Sequence, residues 1–434
     1  MGSLHPRNSS KTITSPLQLR EILGLVREYV DAPSFAALSR TCRDVRIAGT
    51  EILYQSVSLD LSGGHGNQLE LFCDTITNNS YLALSVKQLR LQLCEAASAS
   101  IYATAQDLPD AQTLTKILRA TENVTTLYID YPYHESTASQ PCGRDLVFPQ
   151  NLRLLEFYVR DRKRCPHIPG ERDVNTLLLP HVLSMDVISN IMMTLQQGPG
   201  SPLPTAHLPV QSSITSLTLK DAYLSMESLT NVLQALPHLQ HLSVLFLWYA
   251  DPVNLDVGRH LDCEKLGHAL MREGPSSLET LAIAVQFESR SAIEVECGSG
   301  EGSSWGLLHS LGSLQQLNRL RSLELAPEVL LGWGDVDETL PLSLLLPDSL
   351  QDLHLRMDFS AWELSPWGFE QLCELLGAYL DSISPETLRR LTLTCCEGGE
   401  EEVQASLGPI KSKCDKAGCK FRLETAEDKL KLTF

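Results

Sequence analysis

The sequence predicts an α/β protein: a short N-terminal domain of three helices, then one long array of strand–helix repeats with a parallel sheet on its concave face. Three observations predict it. A hexamer of the form apolar-x-x-apolar-x-apolar recurs ten times between residues 86 and 393. Stretches of helical period lie between the copies. Residues 15–53 carry helical stripes instead. Residues 1–14 are expected to be disordered, 15–60 to form the helical domain and 61–434 the array.

The helical domain is read from SPLQLREILGLVREYVDAPSFAALSRTCRDVRIAGTEILYQSVSL. Leu19, Leu23, Val26 and Val30 fall at 0, 4, 7 and 11, one stripe of a helix. Asp31-Ala-Pro-Ser34 breaks it, and Ser34 is placed to cap the next helix, which is expected to carry Phe35, Leu38, Cys42 and Val45. A third helix holds Ala48, Ile52 and Leu53. The period then changes to two at Val57, Leu59 and Leu61, the signature of a strand. Three short helices in so few residues bury little area unaided, so a unit of this size needs a partner or a neighbouring domain.

The hexamers begin with VKQLRL at 86–91 and continue through VTTLYI at 124–129, LRLLEF at 152–157, VNTLLL at 174–179 and ITSLTL at 214–219. LQHLSV at 239–244, LETLAI at 278–283, LRSLEL at 320–325, LQDLHL at 350–355 and LRRLTL at 388–393 complete the set. Their alternation reads as strands with one buried face. Between them Leu229, Val232, Leu233 and Leu236 repeat at helical spacing. So do Ile188, Ile191, Met192 and Leu195, and so do Phe369, Leu372, Cys373, Leu376 and Leu380. Copies start 22 to 42 residues apart. Strand–helix alternation favours parallel strands joined by right-handed crossovers. A barrel or doubly wound sheet places each strand in different surroundings, whereas a solenoid stacks each coil on a copy of itself, and only the solenoid requires the same hexamer throughout. The segments 131–150, 196–213 and 288–305 lack either period and read as loops.

The hexamers resemble the leucine-rich-repeat family, whose core runs L-x-x-L-x-L-x-x-N/C. LRRLTLTCC ends on Cys396 and VKQLRLQLC on Cys94; elsewhere that position holds Pro132, Arg160, Ala222, Gln286 or Asp358. The turn ladder that Asn or Cys supplies is mostly missing, which predicts an irregular arc. The preceding helices resemble the F-box. Glu21-Ile22-Leu23 matches its opening, Cys42-Arg43 its middle and Leu53-Tyr54 its end; Gln18 and Leu19 stand in place of its Leu-Pro pair, with Pro16-Leu17 just upstream. An F-box ahead of leucine-rich repeats implies a substrate receptor of a Skp–cullin–F-box ubiquitin ligase. The resemblance implies that the Skp adaptor, and through it the cullin, docks on Leu17, Leu19, Ile22, Leu23, Val26, Val30, Phe35, Leu38 and Cys42, while the repeats hold a target protein. An interaction scaffold whose helices only cap the first coil is the alternative, and binding to a Skp adaptor separates the two.

Composition restricts the partners. A formal charge of −18 and a pI near 5.1 repel nucleic-acid phosphate. No apolar run is long enough to span a membrane or to form a signal-peptide core. Twelve scattered cysteines follow no framework spacing, which suits reduced thiols in the cytoplasm or nucleus. No phosphate loop, H-E-x-x-H, G-x-S-x-G or C-x-x-C occurs, and Cys395, Cys396, Cys414 and Cys419 fit no common zinc spacing. The chain is therefore expected to be no enzyme and to need no cofactor. One basic cluster, Arg160, Arg162, Lys163 and Arg164, follows a repeat strand and is the candidate contact for an acidic or phosphorylated target.

Overall fold

A computed structural model of the protein describes residues 16–60, 66–92, 111–132, 148–160, 182–183, 185, 188–196, 213–248, 261–287, 307–333, 339–357, 367–385, 387–395 and 400–425. The expected disordered N-terminus and the hexamer at 174–179 lie outside these residues. Two compact units divide the chain: Met1–Tyr131 with Asp145–Leu152, and Pro132–Arg144 with Arg153–Phe434.

In the first unit, helices α1 (Pro16–Tyr29), α2 (Ala32–Leu38) and α3 (Arg43–Gln55) precede strand β1 (Ser56–Asp60). Helices α4 (Gly66–Asn78) and α5 (Ser80–Ser85) lead to β2 (Gln88–Gln92), and α6 (Ala111–Ala120) leads to β3 (Thr126–Pro132). The three strands are parallel. Val57 pairs in register with Leu89, and Leu89 with Leu127.

The second unit carries the larger parallel sheet. Its strands are β4 (Leu154–Arg160), β5 (Asn190–Gln196), β6 (Ser216–Tyr223), β7 (His241–Trp248), β9 (Thr280–Phe287), β11 (Ser322–Leu325), β12 (Asp352–Met357), β13 (Arg390–Cys395) and β14 (Lys420–Thr425), paired in that order. Two short strands, β8 (Leu261–Asp262) and β10 (Leu307–Leu308), pair separately. The nine hexamers that fall among the described residues each supply a strand.

The repeated hexamer has a direct physical cause here. Its middle apolar residues form one unbroken buried row, Leu155, Ile191, Leu217, Leu242, Leu281, Leu323, Leu353 and Leu391, each paired in register with the next. A fully buried Leu or Ile side chain contributes about 1.5–3 kcal/mol relative to an exposed one. The backbone repeats as faithfully. The N–H groups of the second and third hexamer residues both donate to the second carbonyl of the preceding hexamer: Gln240 and His241 to Thr215, Glu279 and Thr280 to Gln240, Arg321 and Ser322 to Glu279. Such a bifurcated start fixes register, because a slip of one residue would turn every buried side chain outward.

Residues 188–196 correct the sequence reading. Ile188, Ile191, Met192 and Leu195 were expected on a helix, yet Asn190–Gln196 is strand β5. Ile191, Met193 and Thr194 are its buried residues, and with the buried Ile188 two residues ahead of the strand, Ile191 and Met193 make an additional copy of the hexamer. A turn ladder is also present where the Asn/Cys position offered none. Ser213, Ser277 and Ser349, each one residue ahead of a hexamer, donate at 2.8 Å to the carbonyls of Ile188, Leu239 and Leu320, the first residues of the preceding copies.

Helix α7 (Met226–Gln234) buries Leu229, Val232 and Leu233 as the spacing predicts, and Ser225 caps it by accepting from Ser228 N–H. Helix α8 (Cys263–His268) follows β8, with α9 (Pro327–Leu331), α10 (Leu342–Leu345), α11 (Phe369–Ser382) and α12 (Glu400–Ala417) between later strands. Gly267 in α8 is required by close approach: a Cβ there would run into the Leu311 carbonyl, and backbone cannot swing aside. Gly267→Ala should therefore lower stability by about 1–3 kcal/mol. The urea midpoint measures it; an unchanged midpoint would show that α8 does not press on residue 311.

Candidate functional site

Helices α1 to α3 enclose a small core of Leu23, Phe35 and Ile52, against which Leu19, Val26, Val30, Leu38, Val45, Ala48 and Leu53 pack while partly buried. The N-cap of α2 is Asp31, not Ser34: its carboxylate accepts from Ser34 N–H at 2.7 Å. That bond holds the Asp31 carboxyl below its usual range, as expected where a backbone donor favours the ionised form. Pro33 then occupies the first turn, where its missing N–H is no loss. Phe35, Leu38, Cys42 and Val45, expected on one helix, are divided between two. Ser39 and Thr41 hydroxyls donate to the carbonyls of Phe35 and Leu38 and end α2, because short hydroxyl side chains compete for helical acceptors. Cys42 becomes the exposed N-cap residue of α3. Gly49 lets α3 approach this turn: a Cβ there would overlap the Ser39 hydroxyl.

Nine residues were expected to face an adaptor, and the structure sorts them. Leu23 and Phe35 are internal. Leu19, Val26, Val30 and Leu38 line the core with part of their surface open. Ile22 and Cys42 are exposed, and Leu17 lies in α1 with its side chain outside the described residues. The outward apolar face is instead made by Ile22, Leu25 and Tyr29, with 50%, 60% and 85% of their surface open. They fall at 0, 3 and 7, so they form one row along α1. Leu25 and Tyr29 were missed because the inner stripe claimed the helical period; a second apolar row beside it was the available signal. Ile47 on α3 is exposed as well. Arg20 of α1 pairs with Glu51 of α3, and Tyr81 of α5 donates to the same carboxylate at 2.8 Å.

Of the basic cluster, Arg160 is the last residue of β4; its side chain, with Arg162, Lys163 and Arg164, lies outside the described residues. Elsewhere on the non-core face of the second unit's sheet, three adjacent strands form a polar chain. Glu324 Oε2 lies 3.4 Å from His354 Nδ1, and His354 Nε2 lies 2.6 Å from Thr394 Oγ1. A carboxylate, an imidazole and a hydroxyl in line suggest nucleophilic chemistry. Thr394, however, has no exposed surface, so no carbonyl carbon can reach its oxygen. The chain instead ties β11, β12 and β13 together.

Asp262, Glu264 and His309 bring one potential ligand atom each within 4.8 Å of one another, beside a groove of about 620 Å3. Asp262 is already engaged: it caps α8 by accepting from Lys265 N–H, and its other oxygen pairs with Lys265 Nζ at 2.9 Å. Burial alone would push its carboxyl up, but the Lys265 and His309 hydrogen bonds outweigh that and hold it low. Cys414 and Cys419 meet by a hydrogen bond that pushes the Cys414 thiol up and the Cys419 thiol down. No helix among the described residues is long and apolar enough to cross a membrane. No family model matches the sequence, and no curated protein matches it either.

Proposed function

We propose that the protein is a substrate-recognition subunit of a Skp–cullin–F-box ubiquitin ligase. Helices α1 to α3 are its F-box, which docks on the Skp adaptor. The strands that follow form a leucine-rich-repeat solenoid, whose concave face and loops hold a target protein. The observation that carries this reading is the outward row Ile22, Leu25 and Tyr29 on a helix whose inner stripe already fills a core. Large apolar side chains clustered on a small domain's surface are characteristic of an interface. The register-locked hexamer row supports the solenoid, since a stack of like coils requires like residues at its contacts.

The receptor's contribution to ubiquitin transfer is proximity. Holding a target lysine beside a charged conjugating enzyme makes the attack effectively intramolecular, and no side chain of this protein forms a covalent intermediate. Cytoplasm and nucleus are the compartments this role requires.

A second reading, a scaffold whose helices only cap the array, draws on the Arg20–Glu51–Tyr81 clasp, which fastens α1 and α3 to α5. A cap does not account for the exposed row on α1. Co-expression with a Skp adaptor followed by gel filtration distinguishes them. Co-elution in a stoichiometric complex is expected; separate elution would replace the ligase reading with the scaffold.

A further inference from the structure

Among the described residues the short strands β8 and β10 pair only with each other, and their pairing sets Asp262 in register with Leu308. His309, the next residue, is thereby brought to Asp262 across 47 positions of sequence. Glu264 stands in the first turn of α8, two residues beyond Asp262. One side-chain atom from each of the three lies within 4.8 Å of the other two.

This cluster brings together more than an ion pair requires. His309 Nδ1 lies 3.3 Å from Asp262 Oδ1 and 3.9 Å from Glu264 Oε2. A ring nitrogen carries one hydrogen at most, and the longer distance is too great for a hydrogen bond, yet two carboxylates converge on it. Donor atoms bonded tetrahedrally to an ion at ~2.0–2.1 Å stand about 3.3–3.4 Å apart, close to these separations. Asp262 is already oriented. Its Oδ1 accepts from Lys265 N–H at 3.1 Å, and its Oδ2 meets Lys265 Nζ at 2.9 Å. Each carboxylate oxygen offers two lone-pair sites, so Oδ1 keeps a second for a metal while Lys265 fixes the carboxylate's direction.

The surroundings leave such an ion accessible. Asp262 is largely covered, whereas the Glu264 and His309 side chains are more than half exposed and line the groove of about 620 Å3. Helix α8 runs on into a π-helical turn, Ala269–Glu273, whose Met271 and Arg272 line the same groove. Such turns are rare and concentrate at functional sites.

We infer that Asp262, Glu264 and His309 bind a zinc ion whose fourth position, open to the groove, is filled by water. Three protein ligands drawn from carboxylate and imidazole, with a water in the fourth place, form an accessible zinc site. The imidazole disfavours calcium and magnesium, which take oxygen ligands, and separations near a tetrahedral edge disfavour square-planar copper or nickel. The bound ion clips β8 and α8 to residue 309, whatever partner the repeats hold.

The test titrates zinc into chelator-stripped full-length protein with its thiols kept reduced, followed by calorimetry and by melting. One equivalent per chain should bind saturably and raise the melting temperature. Cobalt(II) in place of zinc should give the d–d bands of oxygen and nitrogen ligation without the charge-transfer band of thiolate, which separates this site from the cysteines. Glu264→Gln and His309→Asn should each weaken binding by about tenfold or more. Asparagine tolerates the left-handed backbone of position 309 (φ 59°), and Glu264 is exposed, so both variants should melt like the metal-free wild type. His238→Asn, exposed elsewhere, should bind zinc unchanged. Absence of saturable binding, a cobalt spectrum of thiolate type alone, or undiminished affinity in either Glu264→Gln or His309→Asn would overturn the inference.

Discussion

Aspartate at both Ile22 and Leu25 should leave the protein folded and, on the proposed F-box reading, abolish binding to a Skp adaptor. Both side chains are at least half exposed, so the free protein loses little by the change. At an interface the cost is different. Binding energy concentrates in a few apolar anchors, and a carboxylate desolvated among them costs several kcal/mol, roughly a thousandfold in affinity. Phe35→Asp would fail as a substitute. Phe35 has no exposed surface and sits at the centre of the α1–α3 core. Truncating a core Phe already costs about 3–5 kcal/mol, and a buried charge adds more, so that variant would lose adaptor binding by unfolding the segment. The comparison is made by circular-dichroism melting beside adaptor pull-down. A wild-type melt with lost capture supports the docking face; a wild-type melt with wild-type capture removes Ile22 and Leu25 from it.

Most strands were legible because a sheet with one buried face leaves a period-two mark in each of them. Helices α1, α3, α7 and α11 were legible for the corresponding reason, an apolar stripe at helical spacing. Failures came where two patterns share residues. Ile188, Ile191, Met192 and Leu195 satisfy a helix, while Ile188, Ile191 and Met193 satisfy the hexamer, and only burial of Met193 decides between them. The break after Leu38 was hidden because Ser39 and Thr41 act through hydroxyl bonds that an apolar stripe does not register. Asp31 and Ser34 are both good caps in composition, and Pro33 decides that the helix starts with the earlier one. The outward row on α1 was half legible: Ile22 was named through a motif, Leu25 and Tyr29 were not. The cluster of Asp262, Glu264 and His309 was illegible in principle, because His309 joins the two carboxylates only through the pairing of β8 with β10.

Register also sets the sharpest contrast available to mutation, between two adjacent residues of β12. Leu353 is 1% exposed and lies between Leu323 and Leu391, one on each neighbouring strand. Leu353→Asp removes about 1.5–3 kcal/mol of burial and leaves a carboxyl without water or partners, a further cost of several kcal/mol. The sum is comparable to the whole stability of a typical domain, about 5–15 kcal/mol, so the variant should be insoluble or molten through β11, β12 and β13. Asp352 points the other way, partly exposed, with a long ion pair to Arg390 at 3.7 Å. Asp352→Asn should shift stability by no more than about 0.5 kcal/mol, since exposed pairs contribute little. Amide hydrogen exchange reads both: protection in β11 to β13 should collapse in the first variant and persist in the second. A soluble Leu353→Asp protein with a wild-type melt would place that side chain outside the core and refute the register of the sheet.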